Sequence, residues 1–117
     1  MMGQDKTDQE KRIEGILANC QAKNVNGETL AVFYQLLKQA LALPCDVVSI
    51  ADLEKYELYA IENSGDDFYG LLGKLKQAGD KKKEYVIPLC DLKAADNRSV
   101  EYMLIQDYAS WFVNAQQ

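Results

Sequence analysis

At 117 residues, with 48% hydrophobic side chains, two prolines and seven glycines, the chain has the composition of one folded domain with a modest core. Its net charge of −5 argues against nucleic acid as a partner, and the absence of histidine removes the residue most used for proton transfer and for nitrogen ligation of transition metals. No window approaches the roughly 20 apolar residues needed to cross a bilayer, and the opening MMGQDKTDQEK is polar, so a cytoplasmic protein without a membrane partner is expected.

The first predicted element is a helix from Thr7 to about Gln21. Thr7 and Glu10 have capping-box spacing, and Ile13, Ile16, Leu17 and Cys20 form one apolar stripe that must dock on something larger. A polar break at Asn24 to Gly27 supplies an N-cap for a second helix, whose apolar face is Leu30, Phe33, Tyr34, Leu37, Ala40 and Leu41. Pro44 ends it, because the residue before proline is steered away from helical backbone, and a strand over about Cys45 to Ile50 follows.

Lys55 to Glu62 reads as a strand, Asn63-Ser64-Gly65-Asp66-Asp67 as a turn, and Phe68 to Gln77 as the returning strand. Ala78-Gly79-Asp80-Lys81 is a second turn leading into Glu84 to Leu89. Gly70 and Gly73 suggest a bulge or sharp coiling. Leu89 and Leu92 are expected to cover the end of the sheet, after which Asp96, Asn97 or Ser99 caps a last helix reaching about Val113. Tyr108, Trp111 and Phe112 on that helix are read as its core contact, and Asp107 beside them needs a partner, for which a backbone amide or tyrosine hydroxyl from the sheet is the economical choice.

The fold class that follows is α+β in one domain: a docking helix within 1–23, a second helix within 24–43, a coiled antiparallel sheet of about four strands within 44–92 that approaches a small Tudor-like or Src-homology-like barrel, and a C-terminal helix within 93–117.

Charge is unevenly spread. Residues 1–43 are balanced, residues 44–67 carry seven acids against Lys55, and residues 74–83 carry five lysines against Asp80. Those lysines either meet an acidic partner or keep an edge strand from pairing with another molecule. Two oxygen-rich clusters stand out. Glu62, Asp66 and Asp67 flank a glycine turn of the kind a hard cation such as calcium accepts, although Asp, Asn, Ser and Gly are also ordinary turn residues at a solvated hairpin tip. Asp91, Asp96 and Glu101 stand where a loop enters a helix, a position that capping and the helix dipole equally explain. The EF-hand pattern is absent, as are GxGxxG, GxxxxGK and GxSxG, and Cys20, Cys45 and Cys90 form neither a CxxC motif nor an even set, so buried free thiols and a non-enzyme are expected.

Tyr85-Val86-Ile87-Pro88-Leu89-Cys90-Asp91-Leu92, followed by Gln106-Asp107-Tyr108 and Trp111-Phe112-Val113, resembles the small calcium-binding protein family first recognised in cyanobacteria, which pairs a "VPL..L" strand end with a "D-aromatic-x-x-W" helix. The match covers residues 84–113, and more weakly reaches back to residue 28 through Ala42-Leu43-Pro44-Cys45. The resemblance implies a cytosolic, non-catalytic calcium buffer or sensor that uses clustered surface carboxylates. The alternative is a protein-interaction module with no metal, presenting loops and a sheet edge to a protein partner.

Overall fold

The computed structural model describes residues 6–77 and 79–116. Ala78 of the expected second turn, and Met1–Asp5 of the polar start, lie outside them. Three helices and five strands follow one another as α1 (Asp8–Ile16), α2 (Gly27–Ala40), β1 (Cys45–Ser49), β2 (Lys55–Asn63), β3 (Leu71–Gln77), β4 (Asp80–Pro88), β5 (Leu92–Ala94) and α3 (Val100–Asn114), with a 3-10 turn at Leu89–Asp91 between β4 and β5. The class is α+β, as composition and pattern lead one to expect.

Capping decides where the helices begin. The Thr7 hydroxyl accepts from the Glu10 amide while the Glu10 carboxylate accepts from the Thr7 amide, so α1 starts on a complete capping box. Asn26 does the same for α2, accepting from the amides of Glu28 and Thr29. α1 stops at Ile16 rather than Gln21. Gly15 weakens its last turn, and the Lys23 ammonium binds the carbonyls of Leu17, Ala18 and Cys20, which replaces the helical partners those groups would otherwise need.

The sheet is antiparallel throughout and ordered β4-β3-β2-β1-β5. It has five strands rather than about four, and it does not close into a barrel: β4 and β5 are its two edges. The fifth strand is three residues long, Leu92–Ala94, paired with Val47–Ser49 of β1. So short a segment carries too little alternation to be distinguished from a loop. β3 begins at Leu71 because Phe68 to Gly70 are taken up by the turn, and β4 begins at Asp80, four residues before its expected start. The register is irregular on β2 between Leu58 and Ala60, and on β3 between Lys76 and Gln77 where it pairs with β4, rather than at the glycines of β3. Gly73 instead lets Leu92 and Leu58 pack close: an added Cβ would stand 2.8 Å and 3.0 Å from their methyl groups.

The core lies between the sheet and the α2–α3 pair. Phe33 of α2 stacks on Trp111 of α3 at 4.7 Å between ring centroids and meets Tyr108 edge-on at 5.6 Å, while Tyr108 stacks on Phe112 at 5.6 Å. Leu58, Leu71, Leu75, Leu89 and Leu92 complete the core from the sheet side. The C-terminal aromatics are therefore core, as their helical spacing predicts. Asp107, 1% exposed, finds its partner away from the sheet: Arg12 of α1 grips it with two hydrogen bonds of 2.7 Å and 3.0 Å. No sheet amide or sheet tyrosine takes that role among the described residues; the hydroxyl of Tyr108, on α3 itself, accepts from the Leu71 amide of β3 at 2.8 Å.

Candidate metal centre

The six acids singled out from the sequence fall in three places. Glu62 is the penultimate residue of β2 and pairs with Lys74 of β3 at 3.3 Å. Asp66 and Asp67 are in the β2–β3 turn, where Asp66 Oδ1 accepts from the Phe68 amide and the Asp66 carbonyl accepts from the Gly70 amide. That turn is anchored on Tyr108 and Phe112, since a Cβ on Gly70 would lie 2.4 Å from each of those side chains. On α3 these rings are roughly two to three turns from Glu101. Asp91 is in the 3-10 turn, where its carbonyl accepts from the Ile50 amide at 2.9 Å and its carboxylate lies 3.8 Å from the Cys90 sulfur.

Asp96 and Glu101 are brought together. They line a cleft of about 200 Å³ with Cys45, Asp46, Ala94, Ala95 and Ser99. The β1–β5 pairing builds it: Val47 is opposite Ala94, and the Ala95 amide donates to the Asp46 carbonyl at 2.8 Å, which sets Asp46 beside the loop that carries Asp96. Ser99 is the N-cap of α3, with its hydroxyl accepting from the Tyr102 amide, so the cleft also lies at the positive end of a 15-residue helix. Asp96 Oδ1 accepts from the Arg98 amide at 2.9 Å, and Glu101 Oε2 accepts from the Ala42 amide at 3.2 Å. Each bond engages one oxygen of its carboxylate.

The acids are felt by their neighbour. The Cys45 thiol is pushed up to about 11, first by burial and then by the negative charge of Glu101 and Asp46. It stays protonated at neutral pH, as does Cys90, raised to about 11 by burial and by Asp91. All three cysteines are free, but only Cys20 is fully buried. Among the described residues no group of three Asp, Glu, Cys or His side chains is already arranged to hold a metal ion. The donors at the cleft are hard oxygens, which suit calcium or magnesium, and a bound ion would require Asp46, Asp96 and Glu101 to turn inward together.

Asp46 and Cys45 were not distinguished by sequence reasoning, except for Asp46 as one of the seven acids in 44–67. Their place in the cleft follows from the β1–β5 register, and no residue spacing announces that register.

The architecture is that of a small α+β domain with an open five-stranded sheet backed by two helices, carrying an acid-lined cleft at the start of its last helix. No family model and no curated protein matches the chain. Two solved structures do: Anabaena CcbP, at 19% identity and TM-score 0.70 over 95% of this chain and 94% of that one, and a calcium binding protein in the calcium-binding form, at 17% identity and TM-score 0.71 over 99% of each. At these identities the likeness is one of fold. The fold is shared with these two structures over nearly the whole of each chain. Among the described residues no helix is long and apolar enough to cross a membrane.

Proposed function

We propose that the protein is a non-catalytic calcium-binding protein, a buffer or sensor, whose first site is the cleft of Asp46, Asp96 and Glu101. Glu62, Asp66, Asp67 and Asp91 contribute more weakly, as outlying acids. The observation that carries this reading is the near full-length fold likeness to a protein solved in its calcium-binding form. The cleft supports it by being lined with three acids, one each from β1, the β5–α3 loop and α3. Carboxylates drawn together repel one another, and a hard cation relieves that repulsion, so calcium would supply what holds the three acids inward. A non-catalytic role is supported by the absence of histidine and by the protonated state of the Cys45 thiol beside the acids.

Calorimetric titration with calcium at physiological salt and with magnesium present is the test. Saturable binding is expected, weakened at least tenfold by D46N, D96N and E101Q combined. A flat trace up to millimolar calcium rejects calcium binding, whereas unchanged binding in the triple variant rejects the cleft and moves the site to the β2–β3 turn.

The reading as a protein-interaction module draws on a different feature. Phe68, 75% exposed, and Tyr69 pack edge to face at the β2–β3 turn, 4.9 Å between centroids, beside Asp66 and Asp67. A stoichiometric partner that is released by F68A and Y69A, and is indifferent to chelator, would favour it.

A further inference from the structure

Two of the cleft acids are already engaged, and differently. Asp96 Oδ1 accepts from the Arg98 amide within its own loop, so losing that bond touches nothing beyond the loop. Glu101 Oε2 accepts from the Ala42 amide at 3.2 Å, across 59 residues of sequence. Among the described residues it is the side-chain hydrogen bond that ties the connection between α2 and β1 to α3. That connection is short. The Leu41 amide closes α2 by donating to the Leu37 carbonyl, and β1 opens at Cys45, leaving Ala42, Leu43 and Pro44 between them. Leu41 is buried and Leu43 packs against the core, whereas Ala42 is exposed and its amide bonds to Glu101 rather than to a helix or strand. The same segment runs directly into Cys45 and Asp46 of the cleft.

On the reading of the cleft as the calcium site, we infer that the Glu101–Ala42 bond is a latch that calcium opens: occupation of the cleft frees the α2–β1 connection, and the protein acts as a sensor. While the bond is made, Glu101 is turned to Ala42, and among the described residues no three Asp, Glu, Cys or His groups are arranged to hold a metal ion. Ligation therefore draws the carboxylate inward, because one exposed amide competes for it against the charge of a divalent cation. Glu101 carries the effect outward, since its partner belongs to a different element, whereas the partner of Asp96 does not. The coupling is reciprocal. A bond that calcium must break also opposes calcium, so a chain without the latch binds the ion more tightly.

Ala42→Pro in the full chain removes the donor and leaves every carboxylate in place. Leu41 already has the extended backbone, φ −77° and ψ 130°, that a residue before proline adopts. Calorimetry is expected to show calcium binding about threefold tighter in this variant, the size of one exposed hydrogen bond. Equal affinity overturns the latch, and so does weaker binding, which would make the Ala42 amide a support that positions Glu101. On the unmodified chain, water-exchange NMR is expected to show the Ala42 amide exchanging about threefold faster with saturating calcium, while the Leu41 amide, bonded to Leu37, is unchanged. If Ala42→Pro does not fold, this measurement decides. Saturable binding with Ala42 exchange unchanged or slowed overturns the latch alone, whereas a flat calorimetric trace up to millimolar calcium removes the calcium reading and the latch with it.

Discussion

Tyr108→Phe removes one oxygen from the centre of the fold. That oxygen accepts from the Leu71 amide at 2.8 Å, and Leu71 is fully buried, so the substitution leaves a backbone donor in the core with no water to replace the lost partner. Such an orphaned group costs about 1–3 kcal/mol. For a domain of this size each kcal/mol lowers the melting temperature by about 4 °C, which predicts a fall of roughly 4–12 °C. Gly70 lies against the same hydroxyl. Its φ is +64°, and an added Cβ would stand 2.4 Å from both Tyr108 Oη and Phe112 Cε1. Gly70→Ala therefore combines left-handed backbone strain of about 1–2 kcal/mol with overpacking of about 1–3 kcal/mol. Removing the hydroxyl relieves one of the two clashes, so the double variant should be less destabilised than the sum of the singles by about 0.5–1 kcal/mol. Urea unfolding followed by circular dichroism and by Trp111 fluorescence measures the cycle. Strict additivity, or a Tyr108→Phe shift below about 2 °C, would refute the view that this bond holds the β2–β3 turn onto α3.

Other measurements reach different parts of the molecule. The Cys45 and Cys90 thiols are held at about 11 in the fold against about 9 when free, so the unfolded chain releases their protons first on raising the pH. Stability is then complete below pH 9 and declines as the pH rises through 11, and substituting both cysteines with alanine should flatten that decline in urea unfolding. If calcium enters the cleft it neutralises Glu101 and Asp46, two of the three causes of the Cys45 shift, so thiolate absorbance should show Cys45 titrating at lower pH with calcium present and Cys90 unmoved. Lys74→Ala removes a half-exposed pair with Glu62 and should change unfolding free energy by less than about 0.5 kcal/mol, which urea titration can resolve from zero only with replicate curves.

Local signals carried much of the fold. Thr7 with Glu10, Asn26 with Thr29, and Ser99 before α3 are caps written in adjacent residues, and the helices begin where they indicate. The strands β1 and β2 were visible for the same reason: alternation and flanking turn residues act over a few positions. What failed required knowledge of contacts distant in sequence. The end of α1 depends on Lys23 reaching back to bind carbonyls, the existence of β5 depends on β1 offering it an edge, and the partner of Asp107 is 95 residues away.

The candidate site has the same two-part history. Asp96 and Glu101 were legible because a loop entering a helix concentrates acids within six residues, yet capping alone accounts for that concentration. What separates a cleft from a cap is the third acid, Asp46, and its position is fixed by a strand pairing that the sequence does not advertise. Because β1 pairs β5 with Val47 opposite Ala94, shifting the register by one residue would turn Val47 out of the core and carry Asp46 away from Asp96. The core, through the buried Val47 side chain, thus fixes the spacing of the acids at the surface. A substitution such as Val47→Ala, whose side chain points into the core on the opposite face of β1 from Asp46, should for that reason loosen calcium binding as well as stability, whereas Asp67→Asn, in the β2–β3 turn outside the cleft, should alter neither by a comparable amount.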